Sequence, residues 1–145
     1  MTPDVNLLIA ASRSDHTHHK TAYAWLNETI TACEVGASLK VMPMVAASFL
    51  RLVTNSRIFI HPTPIEDAMA FLDALLAIPG IELPVQGGEW PILRQLCVAK
   101  KLTANDIPDA WLAASVIQHS EHLVTFDADF TRLLRPAQVT VLGKG

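Results

Sequence analysis

Four aspartates stand where apolar runs begin or end. Asp4 follows Met1-Thr2-Pro3, Asp109 precedes Ala110-Trp111-Leu112-Ala113, and Asp127 and Asp129 follow the run from His122 to Phe126. Singly, each has an ordinary structural use, because Asp caps helices and closes turns. Gathered in one pocket they would repel one another and be driven toward their protonated forms, unless a hard divalent cation such as Mg2+ or Mn2+ accepted their oxygens. Such an ion can bind a phosphate, lower the pKa of a coordinated water and stabilise the charge of a phosphodiester transition state. The chemistry these residues suggest is therefore metal-assisted hydrolysis, and its condition is that distant parts of the chain converge.

The elements that must bring them together alternate in type. Short β-rich pieces lie at 39–42, 81–85, 122–126 and 138–142, with a very short first strand ahead of Asp4. Helical periodicity covers 18–31, 44–54, 64–77, 89–100 and 109–119, so Asp109 is expected to open a helix, and an apolar helix follows Asp4. Thr63-Pro64-Ile65-Glu66 reads as an N-cap hydroxyl, a first-turn proline and a capping-box glutamate. This alternation predicts an α/β sandwich with a mostly parallel sheet. In such a sheet, ligand sites lie at the carboxyl ends of strands, where Asp4 and Asp127 would project.

Composition fits one domain over residues 1–145, with 50% hydrophobic and 17% charged residues and no repeat or linker-like tract. The start carries no Lys/Arg cluster ahead of an apolar run, no segment has the ~20 apolar residues of a membrane span, and Cys33 and Cys97 lack a paired spacing. A reducing, cytoplasmic setting without membrane attachment is the expectation, with both thiols as apolar fillers. The net charge of −3 argues against a basic nucleic-acid coat. A nuclease remains open, since bound cations would carry the local positive charge.

In chain order, the motifs resemble those of the PIN domain, and in particular the VapC-type toxins of bacterial toxin–antitoxin pairs. Asp4-Val5-Asn6-Leu7-Leu8 is similar to the opening motif, Asp15-His16 through His19 with Ala24-Trp25-Leu26 to the next stretch, and Phe49-Leu50-Arg51-Leu52-Val53-Thr54-Asn55 with Arg57-Ile58-Phe59 to a third. Asn105 with Asp109-Ala110-Trp111-Leu112-Ala113-Ala114, then Thr125-Phe126-Asp127-Ala128-Asp129-Phe130, complete the resemblance over nearly the whole chain. It implies a three-layer α/β/α fold with a central, mostly parallel sheet, and an Mg2+- or Mn2+-dependent endoribonuclease acting on structured RNA such as tRNA or rRNA. By the same resemblance Asp4 and Asp109 are the main metal ligands and Asp127 completes the catalytic acids, with Asp129 beside it. Asn6, Asn105, Asp106 and Thr125 would support them from behind, and Arg51 and Arg57, with Lys100 and Lys101, would meet phosphates. The implied partners are RNA, a VapB-type antitoxin and a second copy of the chain.

One departure stands out: the family usually carries an acid on the helix before Phe49, whereas this chain reads Val45-Ala46-Ala47-Ser48, with no acid between Glu34 and Glu66. Asp106, one turn before Asp109, is a candidate substitute. The rival readings are a catalytically weak or inactive PIN fold that acts by binding RNA or its antitoxin, and a zinc site built from His16 and His19 on one helix face. Phosphatase chemistry with Asp4 as nucleophile lacks a second acid two residues on, where Asn6 stands.

Overall fold

Prolines and local hydrogen bonding cut the strands shorter than their apolar runs. The computed structural model describes residues 1–143. Its elements are β1 (Thr2–Pro3), α1 (Val5–Ser12), α2 (His19–Glu34), β2 (Leu39–Lys40), α3 (Pro43–Val53), α4 (Ile65–Leu76), β3 (Ile81–Glu82), α5 (Trp90–Lys100), α6 (Asp106–Gln118), β4 (Leu123–Thr125) and β5 (Val139–Val141). Two 3-10 turns, Ala128–Arg132 and Pro136–Gln138, lie between the last two strands. The strand expected over 39–42 stops at Lys40, because Met42 already caps a helix that starts on Pro43. The one expected over 81–85 stops at Glu82, two residues before Pro84, which has no N–H to give to a ladder.

All pairings are parallel. Thr2 stands opposite Leu123 and Pro3 opposite Val124, β4 pairs β5 from Leu123–Val139 to Thr125–Val141, and β2 pairs β3. The Lys40 N–H donates to the Met1 carbonyl at 2.9 Å and lays β2 along the free side of β1. The ladders form a three-stranded sheet, β1-β4-β5, and a two-stranded sheet, β2-β3, and this bond lines the two up in the order β3-β2-β1-β4-β5. Right-handed crossovers fix the rest: β1 to β3 runs outward one way, carrying α1–α4 on one face, and the return from β3 to β4 carries α5 and α6 on the other. The three-layer α/β/α expectation holds. Strand order reverses between β1 and β4, the crevice where open parallel sheets bind ligands.

The core is centred on α1, whose Leu7, Leu8 and Ala10 are wholly buried, together with Phe49, Met42, Leu123 and Phe130. Cys33 is buried and Cys97 half-buried, so only the first is a core filler. After α4 the chain turns at Gly80, whose φ of +88° suits glycine and where a Cβ would lie 2.7 Å from the Ala37 carbonyl oxygen. Among the described residues no helix is long and apolar enough to cross a membrane.

Two helix starts differ from expectation. α6 begins at Asp106, one turn before Asp109, because the Asp106 and Ile107 N–H groups already donate to the carbonyls of Thr103 and Ala104. Pro108 is tolerated there, since a first-turn N–H has no intrahelical acceptor. At α4, Pro64 is the cap and no side chain caps the helix, so the expected Thr63–Glu66 capping box does not form. Arg13 takes the Thr63 hydroxyl instead: its Nη1 donates to Thr63 Oγ1 at 3.0 Å, and its Nη2 donates to the His61 carbonyl at 2.9 Å. Its Nε and Nη2 grip the Asp15 carboxylate at 3.0 and 2.7 Å, and the guanidinium lies 3.8 Å over the Phe59 ring. That buried cation ties the end of α1 to the 55–63 loop, and it lowers the pKa of Asp15.

Candidate active site

Asp4 is at once the residue after β1 and the N-cap of α1. Its backbone N–H donates to the Val124 carbonyl at 2.9 Å, continuing the β1–β4 register, and its extended backbone (φ −74°, ψ 161°) aims the side chain at the start of the helix. Asp4 Oδ1 accepts the Val5 N–H at 2.7 Å and Oδ2 accepts the Thr125 hydroxyl at 2.7 Å. Only 6% of the residue is exposed. Burial raises its pKa, Thr125 and the Val5 N–H pull it back, and the charge of Asp127 raises it again.

Thr125 links two of the acids. While its hydroxyl donates to Asp4, its oxygen accepts the Asp127 N–H at 2.9 Å. Asp127 in turn caps the following 3-10 turn, accepting the Asp129 N–H at 2.9 Å. Asn6 acts one step further back than expected: its amide donates to Thr125 Oγ1 and its Oδ1 accepts the Phe126 N–H, each at 3.4 Å, so it braces the β4 end and touches neither carboxylate.

Asp109 reaches the site from the first turn of α6. It lines the same cavity as Asp4, a space of about 350 Å³ shared with Ser48 and Arg51. Its pKa is pushed up to about 6, first by burial and then by the charges of Asp127, Asp4, Asp106 and Asp129. Five carboxylates from three separated segments thus share one electrostatic neighbourhood, of which Asp4 and Asp109 line the cavity. Asp106 is half-exposed with Arg132 Nη2 at 3.7 Å, and Asp129 is exposed. Asn105 is exposed and its side chain does not cap α6, which leaves it no observed supporting role. Arg51 lines the cavity, whereas the exposed Arg57 is not part of its wall and gives its backbone N–H to Asn55 Oδ1 at 2.8 Å.

The donor set is all oxygen, which suits a hard cation of the Mg2+ or Mn2+ kind and not zinc. Among the described residues, however, no three His, Cys, Asp or Glu side chains already form a group that could hold a metal ion. Of Ser48 and Ala46, the two residues that could stand where an acid was expected, Ser48 lines the cavity and Ala46 does not. The zinc reading fails on geometry. His16 lies ahead of α2 and so shares no helix face with His19; its Nδ1 accepts the His18 N–H at 3.0 Å, while His19 Nδ1 meets the Ala10 carbonyl at 2.8 Å.

The sequence reading passed over the apolar side of the cavity, formed by Leu93, Ile107 and Trp111. Its one available signal was a tryptophan placed two residues after Asp109 in a small-residue run.

Comparison with known proteins bears on the family and the fold. The family model described as the PIN domain matches residues 1–135. The chain is 41% identical over 131 residues to ribonuclease VapC25 of Mycobacterium tuberculosis, covering 89% of each protein. It is 36% identical over 134 residues to ribonuclease VapC43 of the same organism, covering 91% of this chain and 88% of the relative. Among solved structures, VapBC2 from Rickettsia felis, bound to a promoter DNA fragment, superposes with a TM-score of 0.69 at 16% identity over 98% of each chain. VapC20 of Mycobacterium tuberculosis, a sarcin–ricin loop cleaving toxin, superposes with a TM-score of 0.64 at 17% identity over 93% of this chain and 98% of that one.

Proposed function

The chain belongs to the PIN domain family, and from that membership we propose that it is a ribonuclease toxin of the VapC type, hydrolysing RNA phosphodiester bonds at Asp4, Asp109 and Asp127. The observation that carries the reading is the placement of Asp4 and Asp109, far apart in sequence, on one cavity beside Asp127, with Asp109 raised to about 6 by the acids around it. Carboxylates held this close are the expected resting state of a site that receives a cation.

Mg2+ or Mn2+ bound by Asp4 and Asp109, with Asp127 completing the set, would supply Lewis-acid activation of the phosphate and of water. Asp4 is the fixed member of the set, its two oxygens oriented by the Val5 N–H and the Thr125 hydroxyl. Asp109, its pKa pushed up to about 6 by burial and the neighbouring acids, is suited to hold or release a proton. Thr125 keeps Asp127 at a set distance from Asp4 through their shared hydroxyl. Arg51, on the cavity wall, is the cation placed to meet an RNA phosphate.

A VapB-type antitoxin is the proposed partner, on the strength of the toxin–antitoxin structure that this fold matches, in a cytoplasmic setting where its RNA, tRNA or rRNA, is found. A second copy is also proposed, supported by the exposed Trp90 and Val98 on α5. Incubation of the chain with total RNA in Mg2+ or Mn2+ tests the activity. Cleavage should fall at least 100-fold in Asp4→Asn and Asp109→Asn variants, the scale of losing several kcal/mol of metal-borne stabilisation. Wild-type protein that leaves RNA intact would overturn the reading. One observation favours the weaker alternative, a PIN fold that binds RNA or an antitoxin without efficient cleavage: Ser48 faces the site in place of an acid, and no three-ligand group is preformed among the described residues.

A further inference from the structure

The cavity holding Asp4 and Asp109 is larger and more apolar than a cation needs. Its volume of about 350 Å³ lies in the range of about 300–1,000 Å³ typical of pockets for organic ligands. Past the acids it is walled by Leu93 of α5 and by Ile107 and Trp111 of α6. Between Ala110 and Val116 every residue except Trp111 is buried, and Trp111 is 46% exposed. Trp111 does not stand alone: Ile107 beside it is also exposed, so an apolar patch borders the acids. The indole also borders a neighbouring hollow that includes Trp90, so it can be approached from two sides.

We propose that this cavity is a nucleobase pocket, in which the base next to the cleaved phosphate stacks on Trp111 while Arg51 meets the backbone and the acids face the scissile bond. The proposal rests on the RNA-cleaving reading and adds to it the residue that selects the cleavage position. The lining brings together the three kinds of group one nucleotide can use: the carboxylates of Asp4 and Asp109, the Arg51 side chain and the Trp111 side chain. Base–aromatic stacking works with any base, and discrimination then comes from the shape of the surrounding wall. A nucleotide would use both parts of the lining, its phosphate reaching the acids through the cation of the proposed function and its base resting on the indole.

The test measures binding of a six-nucleotide single-stranded RNA in EDTA, so that affinity is read without turnover, alongside cleavage-site mapping in Mn2+. Trp111→Ala should weaken binding about ten-fold or more, and Trp111→Phe should keep most of it. Removing one base to leave an abasic nucleotide should weaken wild-type binding by a similar factor and add little to Trp111→Ala, because both changes delete the same contact. Trp111→Ala should also shift or blur the cleavage sequence. Unchanged RNA affinity in Trp111→Ala would overturn the proposal, as would equal losses for the intact and abasic strands; so would loss of antitoxin capture alone, which would give the pocket to a protein. If wild-type protein binds RNA through Trp111 yet never cuts it, the base pocket stands and the nuclease reading falls.

Discussion

The Thr125 hydroxyl donates to Asp4 Oδ2 at 2.7 Å, and the same oxygen accepts the Asp127 N–H at 2.9 Å. One side chain thereby sets the spacing of two acids from different strands. Thr125→Val removes the donor from a carboxylate that is 6% exposed, leaving it under-satisfied at a cost of about 1–3 kcal/mol. Mn2+ affinity by calorimetry should fall about 10–100-fold, the usual effect of losing a group that orients a ligand. Thr125→Ser should retain most of it. Equal affinities in all three proteins would show that the hydroxyl has no part in holding a cation.

Asp109 makes the metal-free protein sensitive to pH. Its folded pKa of about 6 lies above the ordinary aspartate value of 3.8, so the folded state binds more protons between those values and stability falls as pH rises through that window. The group is only partly buried, and solvent screening reduces its share to about 1 kcal/mol. In EDTA, Asp109→Asn should therefore unfold at higher urea than wild type at pH 7.5, with the two curves converging near pH 4. The opposite order at pH 7.5 would contradict the crowding of acids described here.

Arg13 is expected to matter for stability far more than a surface cation. Arg13→Met keeps the stem over Phe59 but strips the donors from the His61 carbonyl, Thr63 and Asp15. The loss should be about 2–3 kcal/mol, or roughly 4–12 °C in Tm for a domain of this size. Thermal unfolding followed by circular dichroism measures it, and a change below 1 °C would exclude the clamp.

Ser48→Glu offers the converse experiment. A carboxylate on the α3 wall of the cavity would add a fourth oxygen ligand from a new direction. Mn2+ affinity should rise about ten-fold, RNA cleavage should rise with it, and the metal-free protein should lose stability from the added repulsion. Unaltered affinity would place Ser48 outside reach of the ion.

Much of this was legible in the order of residues. Apolar runs alternating in period gave the α/β class, and Asp4 and Asp127 could be assigned to strand ends because both sit where a β-rich piece stops. Boundaries were harder, because they depend on groups distant in sequence. Nothing near Thr63 reveals that Arg13, from the end of α1, will take its hydroxyl and leave α4 without a side-chain cap. The early start of α6 rests on backbone bonds to Thr103 and Ala104, which have no side-chain signature. The family resemblance implied a supporting role for Asn105, yet it lies exposed, since a helix starting at Asp106 leaves the residue before it outside the first turn. Trp111 could not be assigned from periodicity, because helical spacing in an apolar run marks a core position as readily as a pocket wall.

The cavity is assembled from two kinds of material. Asp4 hangs from a strand end whose position is fixed by the sheet, while Asp109, Arg51, Leu93 and Trp111 stand on helices. Exchanging Leu93 on α5 can therefore reshape the wall while the anchored carboxylate stays where the ladder holds it. A shift of α6 would instead carry Asp109 and Trp111 together, so whatever widens the indole side also moves an acid.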